Sequence, residues 1–184
     1  MVVPGISGAA QKISSSLPKQ KSVGFGLIAW PEAITISDSN NQSVEATAQF
    51  YAPLVNYTQR TYRSRDGFSY EAYGFFGYAD IGSSENIVYF QRRVPVFGFG
   101  GSAGWFFRPE SKQVNVGFSL PVQYRHASWT SPPGGSVGNK DTFSIWGSLD
   151  ARWRLTRTLE LNQRIGGFLG SKNTLWNISL AWTL

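Results

Sequence analysis

Hydrophobic and polar residues alternate with period two along most of the chain, most cleanly near its end. From Trp176 to Leu184 one parity carries Trp176, Ile178, Leu180, Trp182 and Leu184, and the other Asn177, Ser179, Ala181 and Thr183. Such alternation marks a strand with one apolar face. The same reading pairs Leu159, Leu161, Ile165 and Leu169 with Glu160, Asn162 and Arg164. Phe143, Ile145, Leu149, Ala151, Trp153 and Leu155 alternate with Ser144, Ser148, Asp150, Arg152 and Arg154. Val114, Val116, Phe118, Leu120, Val122 and Tyr124 alternate with Asn115, Ser119, Gln123 and Arg125. These are four consecutive strands with connections at 129–141, 156–158 and 170–174. Upstream the pattern is noisier and predicts strands near 22–36, 44–58, 67–80 and 87–107, eight in all. In the last of these the apolar parity switches near Pro95, which calls for a bulge there or for a split into two strands.

Alternation does not say which face is inside. Only 15% of the residues are charged, against about 25% in a soluble globular protein. Another 15% are aromatic, which disfavours a disordered chain. No uncharged run reaches the roughly 20 apolar residues of a spanning helix; the glycine-rich runs Ser22–Pro31 and Val94–Phe107 both fall short. All six Lys fall outside the expected strands, whereas the polar parity carries Arg with Asp and Glu among small residues. That combination suits a packed lumen of paired charges. Trp and Tyr recur near strand ends (Trp30, Tyr57, Tyr78, Trp105, Trp129, Trp153, Trp176, Trp182), as an interfacial aromatic girdle requires. The expected fold is therefore all-β: a closed antiparallel up-and-down transmembrane β-barrel of eight strands over 22–184. Residues 1–21 precede it as a tail or as a short plug helix between Pro4 and Pro18. The alternative is a soluble lipocalin-like barrel with the apolar parity lining a ligand cavity.

The segment Leu175–Leu184 resembles the C-terminal assembly signal of bacterial outer-membrane β-barrels, departing from it at the last position, which is Leu rather than Phe or Trp. The resemblance implies a location in the bacterial outer membrane, contact with the barrel-assembly machinery through 175–184, and lipopolysaccharide among the surrounding lipids. It also implies an exported precursor with a signal peptide, which Met1-Val2-Val3-Pro4 does not provide. With both termini periplasmic, the turns at 59–66, 108–112 and 156–158 face the periplasm, and the connections at 37–43, 81–86, 129–141 and 170–174 face outward. A monomer is expected.

Two constellations could carry chemistry. Glu45, Glu71, Arg125, Asp150, Arg152, Arg154, Glu160 and Arg164 are assigned to the inward parity as a lumen charge network. Eight strands enclose a space that side chains just fill, so the network is expected to close the lumen, with a structural or binding role, or limited small-solute passage over the Arg positions. Second, a hairpin at 126–141 would bring His126, Ser128 and Asp141 together on the outer rim, in the residue types of a nucleophile, its base and an orienting acid. This set resembles the lipid A 3-O-deacylases, with their His-x-Ser-Asn motif and following acid on the barrel exterior. The match departs at Trp129 in place of Asn, at Asp141 in place of Glu, and in the two strands that follow. Cys is absent and His126 is the sole histidine, so no metal site and no cofactor are expected. The basic segment Arg60–Arg65 reads as a solvated turn, and no nucleic-acid partner is expected. Gly98–Gly104 lacks the Lys-Ser/Thr ending of a phosphate loop.

Overall fold

The structure, a computed structural model, describes residues 19–37, 39–40, 42–63, 66–81, 93–107, 113–168 and 174–184. It contains β1 (Lys19–Ser37), β2 (Ser43–Tyr62), β3 (Asp66–Ile81), β4 (Arg93–Phe107), β5 (Val114–Ala127), the two-residue β6 (Ser136–Val137), β7 (Asp141–Arg154), β8 (Leu159–Phe168) and β9 (Thr174–Thr183). Each long strand pairs antiparallel with the next, and β1 pairs with both β2 and β9. Eight strands thus close into an up-and-down barrel, and β6 adds only the pairs Ile36–Val137 and Ser37–Ser136 at the end of β1. The plug-helix expectation for 1–21 lies outside the described residues up to 18, and Lys19 to Lys21 already belong to β1.

The end that carries Lys19 and Leu184, joined by the Leu184 N–H to Lys21 C=O bond of 2.9 Å, is called the terminal end below; the other is the loop end. The wall between them turns apolar side chains outward. Phe25, Leu27, Val55, Phe76, Phe99, Phe118, Leu120 and Leu149 all stand exposed on it. A water-facing barrel would not carry so continuous an apolar belt, which sets aside the soluble, cavity-lining alternative. Aromatic pairs rim the belt: Tyr51–Tyr78 and Phe99–Tyr124 toward the loop end, and Phe68–Trp105 toward the terminal end. Arg93 lies 4.3 Å over Tyr78, and Arg63 sits above Phe68 and Trp105.

Strand lengths are unequal. β8 and β9 have 10 residues each, the length of one tilted crossing, whereas β1 and β2 have 19 and 20. Toward the loop end of that long hairpin the pattern inverts: Glu45, Thr47 and Gln49 face out, and Ala46, Ala48 and Phe50 are buried inside. Glu45 is accordingly not part of the lumen. The carboxylate stands exposed, opposite Thr35, on wall that rises past the apolar belt.

Two other expectations need correction. β4 runs from Arg93 to Phe107 in unbroken register with β3, without a bulge or a split at Pro95. Val94 and Val96 are buried inside while Phe97 and Phe99 face out; the parity looked switched because both faces are apolar here. And β2 continues to Tyr62, so Arg60 is a strand residue with its side chain inside, not part of a solvated turn.

Candidate functional site

The lumen is filled in two chemically different halves. At the loop end a cluster of buried apolar residues includes Ile28, Trp30, Ile34, Phe50, Phe75, Val94, Trp129, Trp146 and Leu175. Trp30 stacks on Phe50 with centroids 4.8 Å apart and meets Phe75 edge-on at 5.5 Å. The 128–140 connection folds over this cluster. It buries Trp129 edge-on against Phe50, seats Val137 beside Ile36, and bonds Gly138 N–H to Thr35 C=O at 2.8 Å.

One ion pair is embedded among these rings. Arg125 donates from Nε to Glu32 Oε2 at 3.0 Å and from Nη2 to Glu32 Oε1, while its Nη1 donates to the carbonyls of Asn139 and Lys140. Its guanidinium lies 4.8 Å over the Phe50 ring. Bidentate pairing with extra bonds on the remaining N–H groups is the geometry in which a buried ion pair offsets its desolvation. Glu32 is a lumen residue that sequence reasoning missed. The available signal was a single carboxylate on an inward parity otherwise made of Ile28, Trp30, Ile34 and Ile36.

Toward the terminal end the lumen is polar. Arg164 donates from Nε to Asp150 Oδ1 at 2.9 Å and from Nη2 to Glu71 Oε2 at 2.6 Å. Asn56 Nδ2 donates to Glu71 Oε1 at 2.6 Å, and Ser102 Oγ to Glu71 Oε2 at 3.3 Å. Arg152 reaches Ser69 Oγ at 3.1 Å and approaches Asp150 at 3.9 Å. Glu160 pairs with Arg60 through one oxygen, and its other oxygen lies 3.8 Å from Arg154, which is a third exposed at the mouth. Tyr62 and Thr183 meet Gln20 there. Seven of the eight residues assigned to the lumen network therefore lie inside, Glu45 being the exception, but they form two groups rather than one. Arg125 stands apart from Arg152, Arg154 and Arg164, with the Trp30–Phe50–Phe75 rings and the Tyr73 O–H to Gln123 bond between them. The four arginines make no continuous ladder.

On the exterior, β5 and β7 bring His126 opposite Asp141 in register. His126 Nδ1 lies 2.8 Å from Asp141 Oδ1, and Tyr124 O–H donates to the same oxygen at 2.6 Å. The imidazole lies against Phe97, with centroids 5.1 Å apart. The acid and base of the expected group are thus together. Ser128 is exposed beyond the end of β5, its N–H bonded to Pro95 C=O at 3.1 Å. Among the described residues no hydrogen bond joins Ser128 Oγ to His126. Trp129, where the deacylase motif has Asn, points into the lumen instead.

Fold and belt together define a small eight-stranded β-barrel of the outer-membrane type. No family model matches the chain, and no curated protein matches it. Among solved structures it is similar to Ail, the attachment invasion locus protein of Yersinia pestis. In the complex of Ail with the heparin analogue sucrose octasulfate, identity is 11% and the TM-score 0.55, covering 91% of this chain and 100% of Ail. A second structure of Ail gives 10% identity and a TM-score of 0.52 over 91% and 100%. The Neisserial surface protein A is a looser match, at 8% identity and a TM-score of 0.44 over 91% of this chain and 98% of that one. At such identities the likeness concerns the fold.

Proposed function

We propose that this chain is a non-conducting barrel of the bacterial outer membrane that acts through its surfaces rather than through its lumen. One observation carries the reading: the loop-end half of the lumen is packed with Trp30, Phe50, Phe75 and Trp129 around the Arg125–Glu32 pair. Water and small solutes have no polar path through such a layer. What remains available is the wall, the long β1–β2 hairpin and the loop-end connections, which suit a structural or binding role. Lipopolysaccharide would surround the loop end, and β9 would be the strand offered to the assembly machinery. The test is conductance of the refolded protein in planar bilayers. The expected record is flat, and stepwise channels from the wild-type protein would overturn the reading.

A second reading is favoured by the His126–Asp141 bond: an outer-leaflet lipid hydrolase with Ser128 as nucleophile. A carboxylate on Nδ1 leaves Nε2 to take the serine proton, provided the Ser128 side chain turns toward it. Lipid A incubated with wild-type protein and with Ser128→Ala distinguishes the two readings. Release of a fatty acid by the first and not by the second establishes the hydrolase; no release from either removes it.

A further inference from the structure

The outer face of β8 carries one residue that hydrocarbon does not accommodate. Leu159, Leu161 and Ile165 face outward along this strand, and Gln163 stands among them, while Asn162 and Arg164 line the lumen. β8 has 10 residues, the length of a single tilted crossing, and Gln163 lies at its middle. On β9 its register partner is Ile178, which sits in the outward row between Trp176 and Trp182. Among the described residues the side-chain amide of Gln163 has no hydrogen-bond partner. At that depth there is no water to serve it, and acyl chains offer neither donor nor acceptor.

The wall beside Gln163 is recessed. A groove of about 360 Å³ is bounded by Val116, Gly117, Leu149, Ala151, Ile165 and Gln163 itself. Ala151 lies opposite Gln163 across the β7–β8 register, and Val116 opposite Ala151 across β5–β7. Three neighbouring strands therefore present an apolar hollow with one unserved amide on it. Sheets pack face to face at about 10 Å, a separation that two opposed glutamine side chains span.

An acyl chain in the groove would leave the amide as it is. A second copy of the chain serves both features. Copies in one membrane share one polarity, so a twofold axis between two of them runs along the membrane normal. Each residue near that axis then meets its own equivalent at the same depth. An amide both donates and accepts, so Nε2 of each Gln163 can donate to Oε1 of the other. The closed barrel has no strand edge to extend, which leaves the contact to side chains of the wall.

We propose that the barrel pairs with a second copy of itself through the β5–β7–β8 wall, the two Gln163 amides hydrogen-bonded across the twofold axis and the two grooves closed against each other. The pair takes the place of the monomer expected from the sequence. It rests on the outer-membrane reading and names one surface through which such a barrel acts.

The first test is energy transfer between donor- and acceptor-labelled copies of the full chain in phospholipid vesicles, followed as protein is diluted with lipid. Wild-type protein is expected to show a dilutable dimer. Gln163→Leu, which takes an amide out of lipid and so leaves the barrel folded, is expected to dimerise about tenfold more weakly, as befits loss of hydrogen bonds between membrane segments. The second test uses the absence of Cys from the chain. Leu161→Cys, on the proposed face, should be joined into a dimer by a short bis-maleimide. Phe76→Cys, on β3 at the opposite side of the ring, should not. Detergent-dependent, heat-modifiable protein that stays monomeric at every dilution overturns the dimer and leaves the outer-membrane reading standing, whereas protein soluble without detergent overturns both. Equal dimerisation of wild type and Gln163→Leu, or equal cross-linking at 161 and 76, also overturns the proposal.

Discussion

Glu32 holds Arg125 from the opposite side of the barrel, 93 positions away in sequence, and the same guanidinium reaches the carbonyls of Asn139 and Lys140 in the connection that covers the mouth. Glu32→Ala should therefore do more than delete a contact, because it leaves a buried cation without its counter-charge. A loss of about 3–5 kcal/mol is expected for breaking such a pair from one side. Replacing both partners, Glu32→Leu with Arg125→Met, should restore most of it. Urea midpoints in one detergent compare all three proteins.

Neighbouring residues in the covering connection should respond in opposite ways. Trp129 is buried against Phe50 and Ser128 is exposed. Trp129→Ala is expected to cost about 3–5 kcal/mol, as aromatic truncations in packed cores do. Ser128→Ala should stay within about 0.5 kcal/mol of wild type. Limited proteolysis between 128 and 140 should quicken only in the first.

Two glycines separate the crowded face of the wall from the open one. A Cβ on Gly26 would run into the backbone of Ile178 and Ser179, across the seam between β1 and β9. On Gly74 the nearest atom would be Gly98 O at 3.9 Å. Gly26→Val should abolish the folded, faster-migrating band on an unboiled gel, and Gly74→Ala should leave it intact.

That band is itself a prediction about the apolar belt. Refolded protein should migrate faster unboiled than boiled, and only when detergent was present during refolding. Soluble, monodisperse protein without detergent would contradict an outward-facing belt.

The C-terminal third of the barrel was legible because its two faces differ in polarity along most of their length. Trp176 to Leu184 face out and in by turns as the alternation says, and so do the residues from Phe143 to Trp153. Legibility failed where the faces stop differing or exchange roles. Inside β4, Val94 and Val96 are as apolar as the Phe97 and Phe99 outside, so no contrast marked the register. On β2 the wall leaves the apolar belt, and Glu45 faces water outside while alanines face the core. A rule that puts polar residues inside holds only at the depth of the belt. Arg60 was lost for a different reason. Its sequence neighbours Arg63 and Arg65 suggested a basic turn, although Asn56, Thr58 and Arg60 continue one polar parity. Of the exterior group, periodicity placed His126 and Asp141 on facing strands, but it could not say where Ser128 would point once β5 had ended.

The seam between β1 and β9 has a consequence in time. Eight residue pairs, from Ser22–Thr183 to Ala29–Trp176, join the two ends of the sheet. Until Thr174–Thr183 arrives, β1 and β8 each present an unsatisfied row of backbone groups, which any other strand could extend. Contacts this far apart in sequence also form slowly. While the seam is open the sheet keeps two free edges, and the pairing of the last ten-residue strand with β1 removes both at once.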